Sequence, residues 1–93
     1  MKLIYSEPAL HDLVRLRAFI EANSPDAANR IALELVERIE NLLIFPHMGK
    51  PVDFAPDPAV IRDMIFGQYV VRYAVRQEVI AVLRVWHHAE QRA

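Results

Sequence analysis

The sequence predicts an α+β domain of order β-α-α-β-β-β, a helical hairpin packed on a small, mostly antiparallel sheet. Three observations predict it. Two stretches of helical periodicity open at Ser6-Glu7-Pro8 and Ser24-Pro25-Asp26. A proline-rich gap at 46–59, holding four of the six prolines, then breaks all periodicity. Three runs of β-branched and aromatic residues follow, parted by Gly67-Gln68 and by Arg76-Gln77-Glu78. A chain of 93 residues is long enough for one domain, spanning 1–93.

Leu3-Ile4-Tyr5 is a short apolar strand. Ser6 is suited to capping a helix, with Glu7 complementing the macrodipole and Pro8 tolerated in the first turn. Leu10, Leu13, Val14, Phe19 and Ile20 then mark a helix that runs to Asn23. Ser24, Pro25 and Asp26 repeat the cap-proline-acid start. In the second helix Ala28, Ile31, Ala32, Leu35, Ile39, Leu42 and Leu43 share one face, and Arg30, Glu34, Glu37, Arg38, Glu40 and Asn41 the other. Glu34 and Arg38 have the spacing and order of a favourable ion pair. Only Asn23-Ser24 separates the helices, so they form an antiparallel hairpin. Pro46 ends the second one.

The last third alternates with period two. Tyr69, Val71, Tyr73 and Val75 lie opposite Val70, Arg72, Ala74 and Arg76. In the final strand Val79, Ala81, Leu83 and Val85 alternate with Ile80, Val82, Arg84 and Trp86. Both sets are largely apolar, which predicts a central strand covered on both sides. Tyr5, Phe19, Phe45 and Phe66 read as core, and the spacing of Tyr69, Tyr73 and Trp86 suits core better than base stacking.

Composition narrows the function. The net charge is −1, whereas non-specific nucleic-acid binding rests on excess positive charge. With no cysteine there is no disulfide and no thiolate zinc site. No apolar run reaches the roughly 18 residues of a membrane span, and the start is not a signal peptide, so a cytoplasmic protein without a membrane partner is expected. The chain is 54% hydrophobic, which is high for a domain with so much surface, and predicts an apolar patch that awaits a partner.

Three arginines stand in strands. Arg84 interrupts an apolar strand, so it either pairs with a carboxylate, Asp63 or Glu78, or opens on a cleft as a target- or anion-binding group. Arg62 and Arg72, with Arg84, would make a local anion site if they converged on one side of the sheet. His87 and His88 end the last strand. Beside Arg84 they have the chemistry for general acid/base cleavage of RNA; the plainer reading is that they only terminate the strand. Adjacent histidines point to opposite faces of an extended chain, so no metal site is expected. No cofactor is implied.

Ala9-x-x-Asp12-Leu13, Ser24-Pro25-x-Ala27-Ala28, Ile39-x-x-Leu42-x-x-x-Pro46-x-x-Gly49-Lys50-Pro51, Ile61-Arg62-Asp63, Tyr69-Val70-Val71-x-Tyr73 and Val82-Leu83-Arg84-Val85-x-His87 follow in order along nearly the whole chain. Their order and spacing resemble the RelE/ParE family of toxins from type II toxin–antitoxin pairs, which cause growth arrest and stabilise plasmids. The resemblance implies a cognate antitoxin as partner, with one of two targets. RelE-like members are basic and cut messenger RNA on the ribosome. ParE-like members poison DNA gyrase and have no hydrolytic site. Val70 stands where RNA-cutting relatives commonly carry arginine, the 61–64 strand lacks their lysine cluster, and the end at Ala93 leaves little room for a terminal helix with a catalytic tyrosine. Arg62-Asp63 resembles the Arg-Glu pair of ParE-like chains. The resemblance thus implies a ParE-like gyrase inhibitor, in which Arg62, Arg72 and Arg84 bind rather than catalyse. The alternatives are an mRNA endoribonuclease using Arg84, His87 and His88, and a non-toxic relative that keeps only antitoxin binding.

Overall fold

The computed structural model describes residues 1–57 and 60–90. The end of the 46–59 gap and the stretch after Glu90 fall outside the described residues. Strand β1 (Lys2–Tyr5) leads directly into helix α1 (Glu7–Asn23), and Ser24 alone parts it from helix α2 (Pro25–Glu40). A 3-10 turn (Asn41–Leu43), a two-residue strand β2 (Lys50–Pro51) and the meander β3 (Ile61–Phe66), β4 (Tyr69–Arg76) and β5 (Val79–His87) complete the order. The sheet runs β1-β5-β4-β3-β2. Every neighbouring pair is antiparallel except β1 and β5. The α+β class, the helical hairpin and the mostly antiparallel sheet all match the expectation.

Local chemistry explains the boundaries. The Ser6 hydroxyl accepts from Ala9 N–H at 3.1 Å and caps α1 as expected. Ser24 caps α2 through its carbonyl, which accepts from Ala27 and Ala28 N–H, and its side chain makes no cap bond. Gly67 supplies the positive φ of the β3–β4 turn (58°), and Gln77 takes the corresponding conformation (55°) between β4 and β5. Gly49 sits where the chain presses on the sheet: an added Cβ would lie 2.8 Å from both Asp63 O and Tyr73 Oη.

The core lies between the hairpin and the inner sheet face. It holds Leu16, Ile20, Leu35, Ile39, Leu42, Met64, Val71, Tyr73, Ile80, Val82 and Val85. Tyr69 and Tyr73 belong to it, as alternation predicts.

Several expectations need correction. The inner stripe of α1 is Ala9, Asp12, Leu16 and Ile20, while Leu10 and Val14 face outward and Phe19 is 39% exposed. Apolar residues on both sides of α1 blur its period; of those that mark the helix, Ile20 lies in the core and Leu13 packs against it. Helix α2 stops at Glu40, and the tighter turn that follows swings Phe45 out to 61% exposure and leaves Leu43 partly exposed. Glu34 pairs with Arg30, at 3.6 Å, while the Arg38 guanidinium lies over the Phe66 ring. In β5 one extra residue, Leu83, intervenes between the pairs Arg72↔Arg84 and Tyr73↔Val82. This bulge switches the parity, so that Ile80, Val82 and then Val85 face the core. Trp86 therefore lies half-buried on the outer face instead of in the core. Beyond Val82, β5 has no strand on its outer side, so it is neither wholly central nor covered on both faces.

A candidate target-binding face

Strand β1 pairs with β5 only as far as Tyr5↔Val82. From there side chains replace a strand. The Ser6 hydroxyl donates to Leu83 O at 3.0 Å. The Asp12 carboxylate accepts from Val85 N–H at 2.9 Å, and Arg15 Nη2 donates to Val85 O at 3.1 Å. Glu90 accepts from His87 N–H at 2.9 Å. An edge that would otherwise invite pairing is thus sealed by four side chains, three from the start of the chain and one from near its end.

Asp12 is 1% exposed, the sole buried charged residue among those described. Arg84 grips it with two bonds, of 2.7 Å from Nε and 3.0 Å from Nη2, and Arg15 adds a third side-chain donor. Burial pushes the Asp12 carboxyl up. The hydrogen bonds from Arg84, Arg15 and Val85 N–H outweigh this and hold it far below the usual carboxylate range. Arg15 is raised chiefly by its bond to Glu90, at 2.8 Å. Arg84 does find a carboxylate, as a guanidinium there must, but the partner is Asp12 on a helix and neither Asp63 nor Glu78.

Arg72 faces Arg84 directly across β4 and β5. It is held by Asp63 on β3 through two parallel bonds, of 2.8 and 2.9 Å, which raise its pKa. Its guanidinium also lies 5.1 Å from the ring centres of Trp86 and Phe54. From Asp63, Arg72 and Arg84 on this outer face the ion pairs run round the edge of β5 to Asp12, Arg15 and Glu90, three acids and three guanidiniums in one belt. Formal charge along the belt cancels.

Arg62 does not join it. Its register partner is the fully buried Tyr73, so it lies on the inner side of the sheet. There it donates to Gly49 O at 2.8 Å and His47 O at 3.3 Å. Tyr73 Oη accepts from Gly49 N–H and donates to Pro46 O, and burial raises its pKa. Arg62 and Tyr73 together pin the loop after the hairpin.

His87 pairs in register with the buried Tyr69, three residues from Arg72, and so lies on the opposite side of the sheet from Arg84. Its ring sits 5.0 Å from Tyr69 and 5.4 Å from Phe19, and its Nδ1 accepts from Ala89 N–H. His88 is exposed in the turn that follows. The arrangement brings Arg72 and Arg84 together and leaves Arg62, His87 and His88 elsewhere. Among the described residues no group of three or more acidic or histidine side chains is arranged to hold a metal. Asp12, Arg15, Glu90 and Phe54 were missed from the sequence. The available signal for Asp12 was an acid one turn after Ala9 and one before Leu16, on the inner stripe.

The helical hairpin carries a second feature. Leu13, Val14, Leu16, Ile20, Ile31, Leu35 and Val36 line an apolar groove of about 260 Å³ between α1 and α2. Val14, Leu33 and Val36 lie exposed on the hairpin.

Residues 3–92 match the family model described as ParE toxin of type II toxin-antitoxin system, parDE. Toxin RelE2 of Caulobacter vibrioides is 30% identical over 89 residues, covering 95% of this chain and 96% of that protein. Toxin RelE1 of the same organism is 33% identical over 92 residues, covering 97% and 96%. Among solved structures, a chain of the chromosomal ParDE TA system from P. aeruginosa matches with a TM-score of 0.79 at 20% identity, over 94% of this chain and 95% of that one. This last likeness is one of fold.

Proposed function

As the chain belongs to the ParE toxin family of type II toxin–antitoxin systems, we propose that it acts as a ParE-like poison of DNA gyrase in the cytoplasm, without bond-breaking chemistry of its own. The observation that carries this reading is the separation of the histidines from a neutralised arginine belt. Cleavage of RNA needs a base, an acid and a cation turned toward one phosphate. Here Arg84 is committed to Asp12, Arg72 to Asp63, and His87 lies in an aromatic cluster across the sheet. In this reading the outer face, with Arg72 and Arg84, meets gyrase, and the protein traps the enzyme's own covalent DNA break.

A cognate antitoxin is the second proposed partner. The apolar groove between α1 and α2, with exposed Val14, Leu33 and Val36, suits a helix-forming segment of such a protein. A partner that binds only the folded toxin must raise its melting temperature.

The deciding experiment puts antitoxin-free protein with gyrase, ATP and supercoiled plasmid, and scores linear DNA after the gyrase is denatured. Linear product that rises with dose is expected. Its absence with folded protein would overturn the gyrase reading. The competing reading, an RNA-cutting toxin, draws support from the two relatives named RelE and from Arg72 and Arg84 standing side by side. It requires His87→Ala or Arg84→Ala to abolish cleavage of ribosome-bound message while the fold survives.

A further inference from the structure

Phe54 is 80% exposed, yet its ring meets the Arg72 guanidinium on the outer sheet face. The segment that carries it, residues 53–57, is tied down at its ends. Val52 is buried and donates its N–H to Ile61 O, Ala55 N–H bonds to Val52 O, and Asp57 O accepts from Val60 and Ile61 N–H. Between those ends the backbone forms turns and bends with exposed Asp53, Phe54, Pro56 and Asp57. Phe54 is thus a large apolar side chain held over the sheet through a cation–π contact, at the tip of a segment with secure anchors.

We infer that residues 53–57 are a strap closed over the outer sheet face, with Phe54 as its latch on Arg72, and that a target docking on this face must first lift it. The inference rests on reading the outer face as the target-binding face. Three points support it. The contact is of a kind that is weak when exposed, so it breaks and reforms readily. Arg72 needs no rearrangement when Phe54 leaves, because Asp63 holds it through two bonds. What is uncovered is a flat guanidinium already lying against Trp86, a surface that accepts a planar side chain of a protein as it accepts Phe54. The Asp63 carboxylate, which lies beside Arg72 on this face, favours a protein over a nucleic-acid phosphate here.

Trp86 is the chain's single tryptophan, so the strap has a built-in reporter. Acrylamide quenching of its fluorescence is measured on free wild-type protein and on Phe54→Ala, Phe54→Leu and Phe54→Tyr, each with circular dichroism to verify the fold. Removing the aromatic ring is expected to raise the quenching constant in the alanine and leucine variants, while tyrosine keeps the wild-type value. Equal quenching in all four proteins would overturn the strap whatever the target is. The gyrase assay is then run on the same proteins. A closed strap reduces the binding-competent fraction, so Phe54→Ala and Phe54→Leu are expected to reach half-maximal cleavage at about two- to fivefold lower dose, the factor that a contact of this strength represents. A higher dose requirement would make Phe54 a target contact and overturn its role as a cover. If wild-type protein yields no linear DNA while the quenching series behaves as expected, the gyrase reading falls and the strap stands. Tighter binding of a single-stranded RNA oligomer by Phe54→Ala than by wild type would replace the protein side chain with a base as the strap's competitor, overturning that part of the inference.

Discussion

Two arginines face each other across β4 and β5, and the chain treats them in opposite ways. Arg84 answers to Asp12, which is 1% exposed and lies on a helix 72 positions away. Arg72 answers to Asp63, which is 24% exposed and nine positions away on the adjoining strand. The first pair joins α1 to a strand edge and completes the hydrogen bonding of Val85. The second lies within the sheet and touches the Trp86 and Phe54 rings. A charge pair built into the frame and one left partly in water look alike in sequence. They differ in which carboxylate is taken from water.

The largest expected effect tests that difference directly. Asp12→Ala leaves Arg84, Arg15 and Val85 N–H without their shared acceptor, and should cost about 3–5 kcal/mol, a large share of the roughly 5–15 kcal/mol that holds a small domain. Asp63→Ala should cost less, about 1–3 kcal/mol, because Asp63 and Arg72 each keep about a quarter of their surface in water. Urea denaturation of the two variants gives the comparison; equal losses would break it. Acid tests the Asp12 pair in a second way. The Asp12 carboxyl of the folded chain stays charged where that of the unfolded chain, near its ordinary value of about 3.9, takes up a proton. Its contribution is whole above about pH 4 and is lost as pH falls toward the depressed folded value. Stability measured from pH 5 down to pH 2 should therefore fall less steeply in Asp12→Asn than in wild type.

On the inner side, Tyr73→Phe leaves Gly49 N–H and Pro46 O unanswered and should cost about 1–3 kcal/mol. That loss would appear as a lower denaturation midpoint. Arg72→Lys removes the two-pronged grip on Asp63 and should change stability by less than about 1 kcal/mol. The same variant should lower the yield of linear DNA in the gyrase assay, separating contact from frame. The smallest effect is expected at His87. Its replacement by alanine should cost only ring packing against Phe19 and Tyr69, about 1 kcal/mol, and toxicity in cells should persist.

Much of the fold was legible because it rests on strong local signals. Ser6 and Pro25 open the helices, Pro46 follows them, and Gly67 turns the chain between strands. The family resemblance was carried by order and spacing across the whole chain. What escaped depends on one residue of register or on a distant partner. The extra Leu83 reverses the faces of β5, so Trp86 went to the wrong side. Asp12 was read as one letter in a motif because its three donors lie 3, 72 and 73 positions away. Phe45 was placed in the core on hydrophobicity alone, although the turn before it carries it outward. Of the candidate site, the arginines were legible as a set. Their division between two sides of the sheet was not, since it follows from pairing rather than composition.

The seam between the start of the chain and β5 bears on synthesis. Lys2 through Tyr5 find their ladder partners 77 residues downstream, and Ser6, Asp12 and Arg15 bond to residues 83–85 or beyond. A ribosome making this protein releases the hairpin long before the strand that clasps it. The half-made chain has no closed sheet and lacks the Arg84 grip on Asp12, so the outer face cannot form until the final strand has emerged.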